Sequence, residues 1–402
     1  MSPKKILAAT LALSLAAASA AHAEDGFNYR FSGFGTVGYA ATDTDDVLFT
    51  NPGQLKGARQ NGSGLVDSRL GGQLDLSFTP ALSATVQAIA MQNAEGKSMP
   101  QVQWAFLRYK VSDSVAVRLG RLSLPAYLVS DYRYVGYANP WVRAPLEVYN
   151  LASLDSYEGA DVVWSHGVGD GFLSAQVLAG HVSSPMPYDS EHTSRVKSNQ
   201  LTGAYLTYEI GSLRVRGGLS TSKVTYLSEG TNALFDGLRQ AGFGQTADAF
   251  EPDNARTTFS SVGATWDADN ILLTGEYAQL RSGSKMIGRA TGWYGTFGYR
   301  LGKWMPYFTY AGYDRDDQRA RNDVPPYGPL IPLSMGLDQL AAGNSQHTAS
   351  LGLKVDLRSN VAFKAQVDHV RPSRHGGTFS AVAPGFDGSA VNVYSAVVDF
   401  VF

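Results

Sequence analysis

Polar and apolar residues alternate with a period of two along most of this chain. Leu82, Ala84, Val86, Ala88 and Ala90 share one parity, with Ser83, Thr85 and Gln87 on the other. Leu351, Leu353, Val355 and Leu357 alternate with Gly352, Lys354 and Asp356. Val361, Phe363, Ala365 and Val367 alternate with Lys364, Gln366 and Asp368, and Leu213, Val215 and Leu219 with Arg214 and Arg216. Successive side chains of a strand point to opposite faces, so each segment predicts a strand with one greasy and one wet face. A single such strand carries little information, because any half-buried strand has this pattern. Many of them, with charge confined to one parity, predict an apolar belt around a wet interior.

Sixteen segments carry the pattern: 27–41, 66–79, 81–91, 102–112, 114–121, 157–166, 171–181, 200–210, 212–222, 257–267, 269–280, 289–301, 302–312, 346–357, 359–370 and 391–402. Most are long enough for a tilted strand to cross a bilayer, which takes about 9–11 residues. The connectors between them alternate. Thr79-Pro80-Ala81, Ser112-Asp113-Ser114, 167–171, Gly211-Ser212, Ala268-Asp269-Asn270, Leu301-Gly302-Lys303 and Arg358-Ser359-Asn360 are short and rich in turn formers. The stretches 42–65, 122–156, 182–199, 223–256, 313–345 and 371–390 are long, and 92–101 and 281–288 are shorter members of the same set. This sorting predicts an all-β fold: a transmembrane antiparallel β-barrel of about 16 strands, with short periplasmic turns and long extracellular loops. Aromatics near strand ends (Phe27, Tyr29, Tyr205, Tyr208, Trp266, Trp293, Trp304 and Tyr313) are expected to form interfacial girdles.

The two ends fit this picture. In 391–402, Tyr394, Ala396, Val398, Phe400 and Phe402 share the greasy parity. At the start, Lys4 and Lys5 precede the apolar run 6–20 and the small-x-small site Ala21-His22-Ala23. That is the pattern of a cleaved signal peptide, 1–23, leaving 24–402 as a single barrel domain. Removing two lysines takes the formal charge from −2 to −4, and no basic stripe points to nucleic acid. The chain has no cysteine, so its own hydrogen-bond ladder, a metal or a closed sheet must hold it together. No phosphate-binding glycine loop or HExxH is present, and no metal or cofactor is expected.

A barrel of this size encloses water, and its wall charges then become the chemistry. By parity Arg30, Arg69, Arg108, Lys110, Arg118, Arg214, Arg216, Arg300, Lys354 and Lys364 look inward, as do Asp75, Asp161, Glu209, Glu276, Asp356, Asp368 and Asp399. Ten bases against seven acids is a thin margin, giving weak anion preference or mutual neutralisation. The third long connector, 122–156, is rich in Tyr, Pro and Trp, a composition for an ordered, packed loop. Folded into the lumen it would narrow the pore. Arg121, Tyr127, Asp131, Arg133, Arg143, Glu147 and Asp155 are its candidate constriction residues; Arg69, Arg108, Arg118, Arg214, Arg216, Lys354 and Lys364 are candidates on the wall.

Signal peptide, sixteen strands, infolded third loop and terminal Phe402 together resemble the Gram-negative outer-membrane porins over the whole mature chain. The stretch from Gly120-Arg121-Leu122 through Trp141-Val142-Arg143 to Glu147-Val148-Tyr149 is similar to a less characterised branch; the acidic Pro-Glu-Phe-Gly-Gly loop tip of the general diffusion porins is missing. The resemblance implies passive diffusion of small hydrophilic solutes, a homotrimer, residence among outer-membrane lipid and lipopolysaccharide after export through the periplasm, and delivery to the assembly machinery through the terminal strand ending on Phe402. Two alternatives stay open: a Ser/His hydrolase built on Asn344, Ser345 and His347, with His369 near a facing position, and a structural or adhesive barrel. Asp43-Thr44-Asp45-Asp46 and Tyr313-Asp314-Arg315-Asp316-Asp317 are acidic, but lack the spacing of a full calcium loop.

Overall fold

In the computed structural model, which describes residues 27–152, 154–187 and 193–402, sixteen antiparallel strands close into one barrel. They are β1 (Asn28–Thr42), β2 (Arg69–Ser77), β3 (Leu82–Gln92), β4 (Ser98–Lys110), β5 (Val115–Ser123), β6 (Ser156–Val168), β7 (Gly171–Pro187), β8 (Thr193–Ile210), β9 (Leu213–Leu227), β10 (Ala255–Ala268), β11 (Ile271–Ser282), β12 (Arg289–Tyr299), β13 (Trp304–Arg315), β14 (Asn344–Arg358), β15 (Val361–Pro372) and β16 (Val391–Val401). Neighbours in sequence are neighbours in the sheet, and β1 closes the ring on β16. Residues 28–36 of β1 pair with β2 and residues 34–42 with β16, the stagger that tilted strands need to close.

Turn chemistry sets the registers. Between β10 and β11, Asp269 and Asn270 both have positive φ (52° and 66°), the type I′ geometry that matches the strand twist. Alternation then decides which way each side chain faces. Val86, Leu107, Leu119, Val177, Leu219, Val262, Leu351 and Val367 are exposed on the outer surface, while Gln87, Arg216, Lys364 and Asp368 on the opposite parity are buried inside. The terminal strand obeys the same rule. The Phe402 ring lies on Gly33, where a Cβ would sit 2.2 Å from it, and backbone hydrogen bonds of 2.8 and 2.9 Å join the two residues.

The long-loop end is capped, a feature absent from the strand reading. Helices α2 (Glu229–Gln240), α3 (Gly244–Phe250) and α4 (Ile331–Ala341) follow α1, the single turn Leu146–Tyr149 in the third loop. Phe235, Leu238, Phe250, Leu337 and Ala341 pack these helices into a small core. A two-residue strand pair, Val47–Leu48 with Ala381–Val382, ties the first loop to the last. Among the described residues no helix is long and apolar enough to cross a membrane.

Several expectations need correction. The segment 182–199 is not mostly loop, because β7 and β8 run on as a hairpin to Pro187 and from Thr193, through a register shift near Gly180. Tyr205 and Tyr313 are not girdle residues: both lie on inward parities, Tyr205 buried under the third loop and Tyr313 packed beside it. The expected signal peptide, 1–23, lies outside the described residues.

Candidate functional site: the lumen and its third loop

The third loop leaves β5, enters the barrel and touches wall strands on nearly every side before returning to β6. Its first part lies against β9–β11. The Ala126 carbonyl accepts from the Ser261 hydroxyl (2.6 Å), and the Leu128 N–H and the Tyr149 hydroxyl both donate to the Glu276 carboxylate (2.9 and 3.0 Å). Its tip crosses to the far wall. Arg69 donates to the Tyr134 carbonyl (2.7 Å), Lys354 to the Tyr137 carbonyl (2.8 Å), and Lys364 to the carbonyls of Gly136 and Trp141 (2.7 and 2.8 Å). The Tyr137 hydroxyl donates to the Ser359 carbonyl in the short turn between β14 and β15, at 2.8 Å. The loop therefore reaches the short-turn end.

Apolar packing holds the β6–β13 side. Tyr127 stacks on Tyr149 (4.5 Å between centroids) and meets Phe259 edge-on (5.2 Å); Trp141 does the same with Tyr294 (5.5 Å). Together with Leu128, Leu178, Leu201 and Tyr205 they form a buried cluster inside the barrel. The local sequence permits this. Pro145 precedes α1, short 3-10 turns occupy Ser130–Tyr132 and Gly136–Ala138, and Gly136 is small enough for close approach. A Cβ on Gly136 would lie 2.0 Å from the Asp399 carboxylate.

Buried charge holds the opposite side. Arg143 forks onto Asp67 (3.0 and 2.7 Å), reaches Asp368 (3.2 Å) and donates to the Ser395 hydroxyl (2.6 Å). Its guanidinium lies 4.7 Å from the Phe49 ring centroid. Arg143 and its two acids are at most 9 % exposed. Lys364 pairs with Asp399 at 2.9 Å, both side chains fully buried, and the Thr36 hydroxyl donates to the same carboxylate at 2.6 Å. Burial opposes charge at Asp67, but Arg143 outweighs it and holds that carboxyl below its ordinary range. Among the described residues no cation forms an ion pair with Glu147. Burial raises its pKa, and hydrogen bonds from Thr348 and Gln346 only partly offset this.

Little room remains beside the loop. Crevices of about 30 and 40 Å³ flank Arg143 on either side. Toward the short-turn end the lumen widens to a cavity of about 590 Å³, lined by Gln73, Gln87, Trp104, Asp131 and Val135 among others. The wall charges facing this wider part are mostly paired: Arg30 with Asp75 (3.3 Å), Arg118 with Asp161 (2.7 Å), Arg214 with Glu209 (3.2 Å), Arg216 with Asp131 (3.0 Å) and Lys354 with Asp356 (3.9 Å). Arg108, exposed and in register with Arg118, has no ion pair among the described residues.

The candidate constriction residues separate into distinct places. Asp131 is half exposed to the wider lumen. Tyr127, Arg143 and Glu147 are buried between loop and wall. Arg133 pairs with Asp155 at 2.7 Å, and the Tyr134 hydroxyl donates to the same carboxylate. Arg121 belongs elsewhere: it stands on β5 between inward Gly120 and Leu122, on the outward parity, 3.6 Å from Glu158, which in turn lies 3.4 Å from His181. Sequence reasoning missed Asp67, the principal partner of Arg143, although it falls in the predicted strand 66–79 on the parity of inward Arg69; the observed strand begins only at Arg69.

The hydrolase constellation is not assembled. His347 stacks on Tyr310 (6.1 Å between centroids) and, among the described residues, no hydrogen bond joins it to Ser345. His347 is in register with Arg371 rather than His369. In the acidic loops, Asp43 accepts from the Asn392 amide at 2.7 Å and Asp317 from the Arg319 guanidinium at 2.9 Å.

No protein-family model matches the chain, and no curated protein sequence matches it. Solved structures do. The outer membrane channel DcaP of Acinetobacter baumannii superposes with a TM-score of 0.57 at 12% identity, over 95% of this chain and 100% of that one. The anion-selective porin from Comamonas acidovorans gives 0.55 at 13% identity, over 94% and 100%. OmpT of Vibrio cholerae, an outer membrane protein in its trimer form, gives 0.53 at 14% identity, over 94% and 100%. Closed sixteen-strand topology, the sorting of short turns from long loops and these superpositions agree: the chain has the fold of the Gram-negative outer-membrane porins.

Proposed function

We propose that this chain is a narrow diffusion channel of the Gram-negative outer membrane, passing small hydrophilic solutes and ions down their gradients. One observation carries the reading: an aromatic third loop lodged in the lumen and clamped to opposite walls, leaving water-sized crevices beside Arg143. Asp131, Arg133 and Asp155 with the wall residues Arg118, Arg214 and Arg216 then set the constriction, and Tyr127, Arg143 and Glu147, with Arg69, Lys354 and Lys364 on the wall, act by holding the loop. A homotrimer, export behind a signal peptide and non-enzymatic action belong to the same reading. Weak anion preference finds support in Arg108, an exposed lumen cation without an ion-pair partner among the described residues.

Planar-bilayer recording tests the proposal. Reconstituted protein should give small, discrete conductance steps, and deleting residues 128–150 should enlarge them. A folded barrel that conducts nothing before or after the deletion would overturn the channel reading; equal steps in both would show that the loop does not constrict.

A further inference from the structure

Four consecutive strands set one row of side chains across the inner wall, on the short-turn side of the third loop. Ser32 on β1 is in register with Gln73 on β2, Gln73 with Gln87 on β3, and Gln87 with Trp104 on β4. All four line the cavity of about 590 Å³ at that end, together with Asp131 and Val135 of the loop. The volume lies within the roughly 300–1,000 Å³ common for small-molecule sites. A β-bulge marks one end of the row: the register shifts between Gln87 and Ala88, and Gln103 is the extra residue beside Trp104. Bulges re-aim neighbouring side chains and recur next to functional sites.

Among the described residues no hydrogen bond joins this row to the third loop, no hydrogen bond or ring contact engages the Trp104 indole, and the Ser32 hydroxyl has no partner. Gln87, 4 % exposed, donates to the Gln73 side chain at 2.8 Å, while its own side-chain oxygen has no partner among the described residues. Gln73 in turn donates to Asp75 (3.2 and 3.0 Å), which fixes both amides. The row therefore presents a flat aromatic ring beside donors and acceptors held in place. The charges around it are paired: Arg30 with Asp75 at 3.3 Å and Arg216 with Asp131 at 3.0 Å. Arg108, without an ion pair, stands four residues further toward the short-turn mouth on the strand of Trp104, about 14 Å along it. A row of uncharged groups among paired charges gives little hold on a free ion and suits a neutral solute.

We propose that Trp104, Gln87, Gln73 and Ser32 form a subsite for a neutral saccharide ring within the lumen, an inference that rests on the channel reading. A pyranose has apolar C–H faces and a rim of hydroxyls. One face would lie on the indole, and the rim would meet the Gln87 side-chain oxygen, the Ser32 hydroxyl and the indole N–H. Hydroxyls both donate and accept, so this mixed set matches them. An acyclic polyol keeps the hydrogen bonds but loses the face. A benzoate ion keeps a face but loses the rim.

Saturation-transfer NMR on protein solubilised in a detergent without a sugar headgroup, titrated with methyl glucoside, tests it. Binding should be saturable, with sorbitol and sodium benzoate each about tenfold weaker. Trp104→Ala should weaken it about tenfold. Trp104→Phe, which keeps a ring but loses the N–H, and Gln87→Leu should each cost about fivefold. These two keep the test alive should Trp104→Ala fail to assemble. No saturable binding by the wild type, equal binding by the folded variants, or sorbitol or benzoate bound as tightly would overturn the proposal. Salt conductance recorded in parallel separates the two readings. A conducting protein that ignores the sugar fails only here, and one that binds it without conducting fails only as a channel.

Discussion

Arg143→Ala is the most incisive single change available in the lumen. The guanidinium lies between Asp67 and Asp368 with a side chain 6 % exposed, and the acids are 0 % and 9 % exposed. Removing it leaves two carboxylates facing each other out of reach of bulk water. Breaking a buried pair by deleting one partner costs about 3–5 kcal/mol, or roughly a hundred- to a few-thousandfold in the ratio of docked to released loop. Lys364, Arg69 and Glu276 still hold other points of the loop, so the barrel should fold and only the loop should loosen. Single-channel recording should then show larger or flickering openings, and limited proteolysis should cut within 128–150 faster. Arg143→Lys keeps the charge but not the fork, and should fall between. Adding Asp67→Asn to Arg143→Ala should recover part of the loss, because one stranded charge is gone. Wild-type conductance and wild-type proteolysis in Arg143→Ala would refute the idea that this ion pair clamps the loop.

Three further expectations follow from the same geometry. The Glu147 carboxyl is raised above its ordinary 4.5 by burial in the docked loop, so docking takes up a proton; its contribution is fully present below 4.5 and is lost as pH rises through the docked-state value. Loop mobility, read from conductance noise, should increase with pH above that point in the wild type and should lose this dependence in Glu147→Gln. Phe402→Ala uncovers Gly33 and removes a half-exposed ring; at about half the usual core penalty it should cost about 2 kcal/mol, visible as lower heat resistance of the folded band on a denaturing gel. Arg108→Gln should shift the reversal potential under a salt gradient toward cations; an unchanged potential would show that the unpaired arginine does not contribute to selectivity.

The barrel was legible because its determinants are local. Strand parity is set residue by residue, so Leu219 against Arg216 and Val367 against Lys364 announce outside and inside without knowledge of any partner. Turn residues such as Asp269-Asn270 are equally local. The helices of the fifth and seventh long connectors were not legible from a search for period two, although Phe235, Leu238 and the Ser228–Glu229 start carry a helical spacing. Bulges account for other differences: the register shift near Gly180 lets β7 and β8 continue past the expected end. Parity also gave the wrong environment where a loop packs over the wall. Tyr205, assigned to an interfacial girdle, is instead core beneath Tyr127 and Leu128.

The loop's anchors were half legible, and the reason bears on how the lumen works. Inward acids at Glu276, Asp368 and Asp399 could be assigned from parity, but their partners lie in the third loop or on another strand, 225 residues away along the chain for the Arg143–Asp368 contact and 363 for Thr36–Asp399. Each such acid was therefore assigned to the wet wall, whereas the fold spends them on holding the loop. The two sides of the loop do different jobs. The Tyr127, Tyr149 and Trp141 cluster on the β6–β13 side supplies non-directional adhesion, which would tolerate sliding. Arg143 and Lys364 on the other side add little net stability over apolar packing, but their forked and linear geometries admit one position only. It follows that apolar substitutions such as Leu128→Ala should weaken docking without moving the loop, while Gly136→Ala, whose new methyl would collide with the Asp399 carboxylate, should move it with the apolar cluster intact. A lumen whose width depends on loop position rather than loop affinity should thus respond more to the second change than to the first.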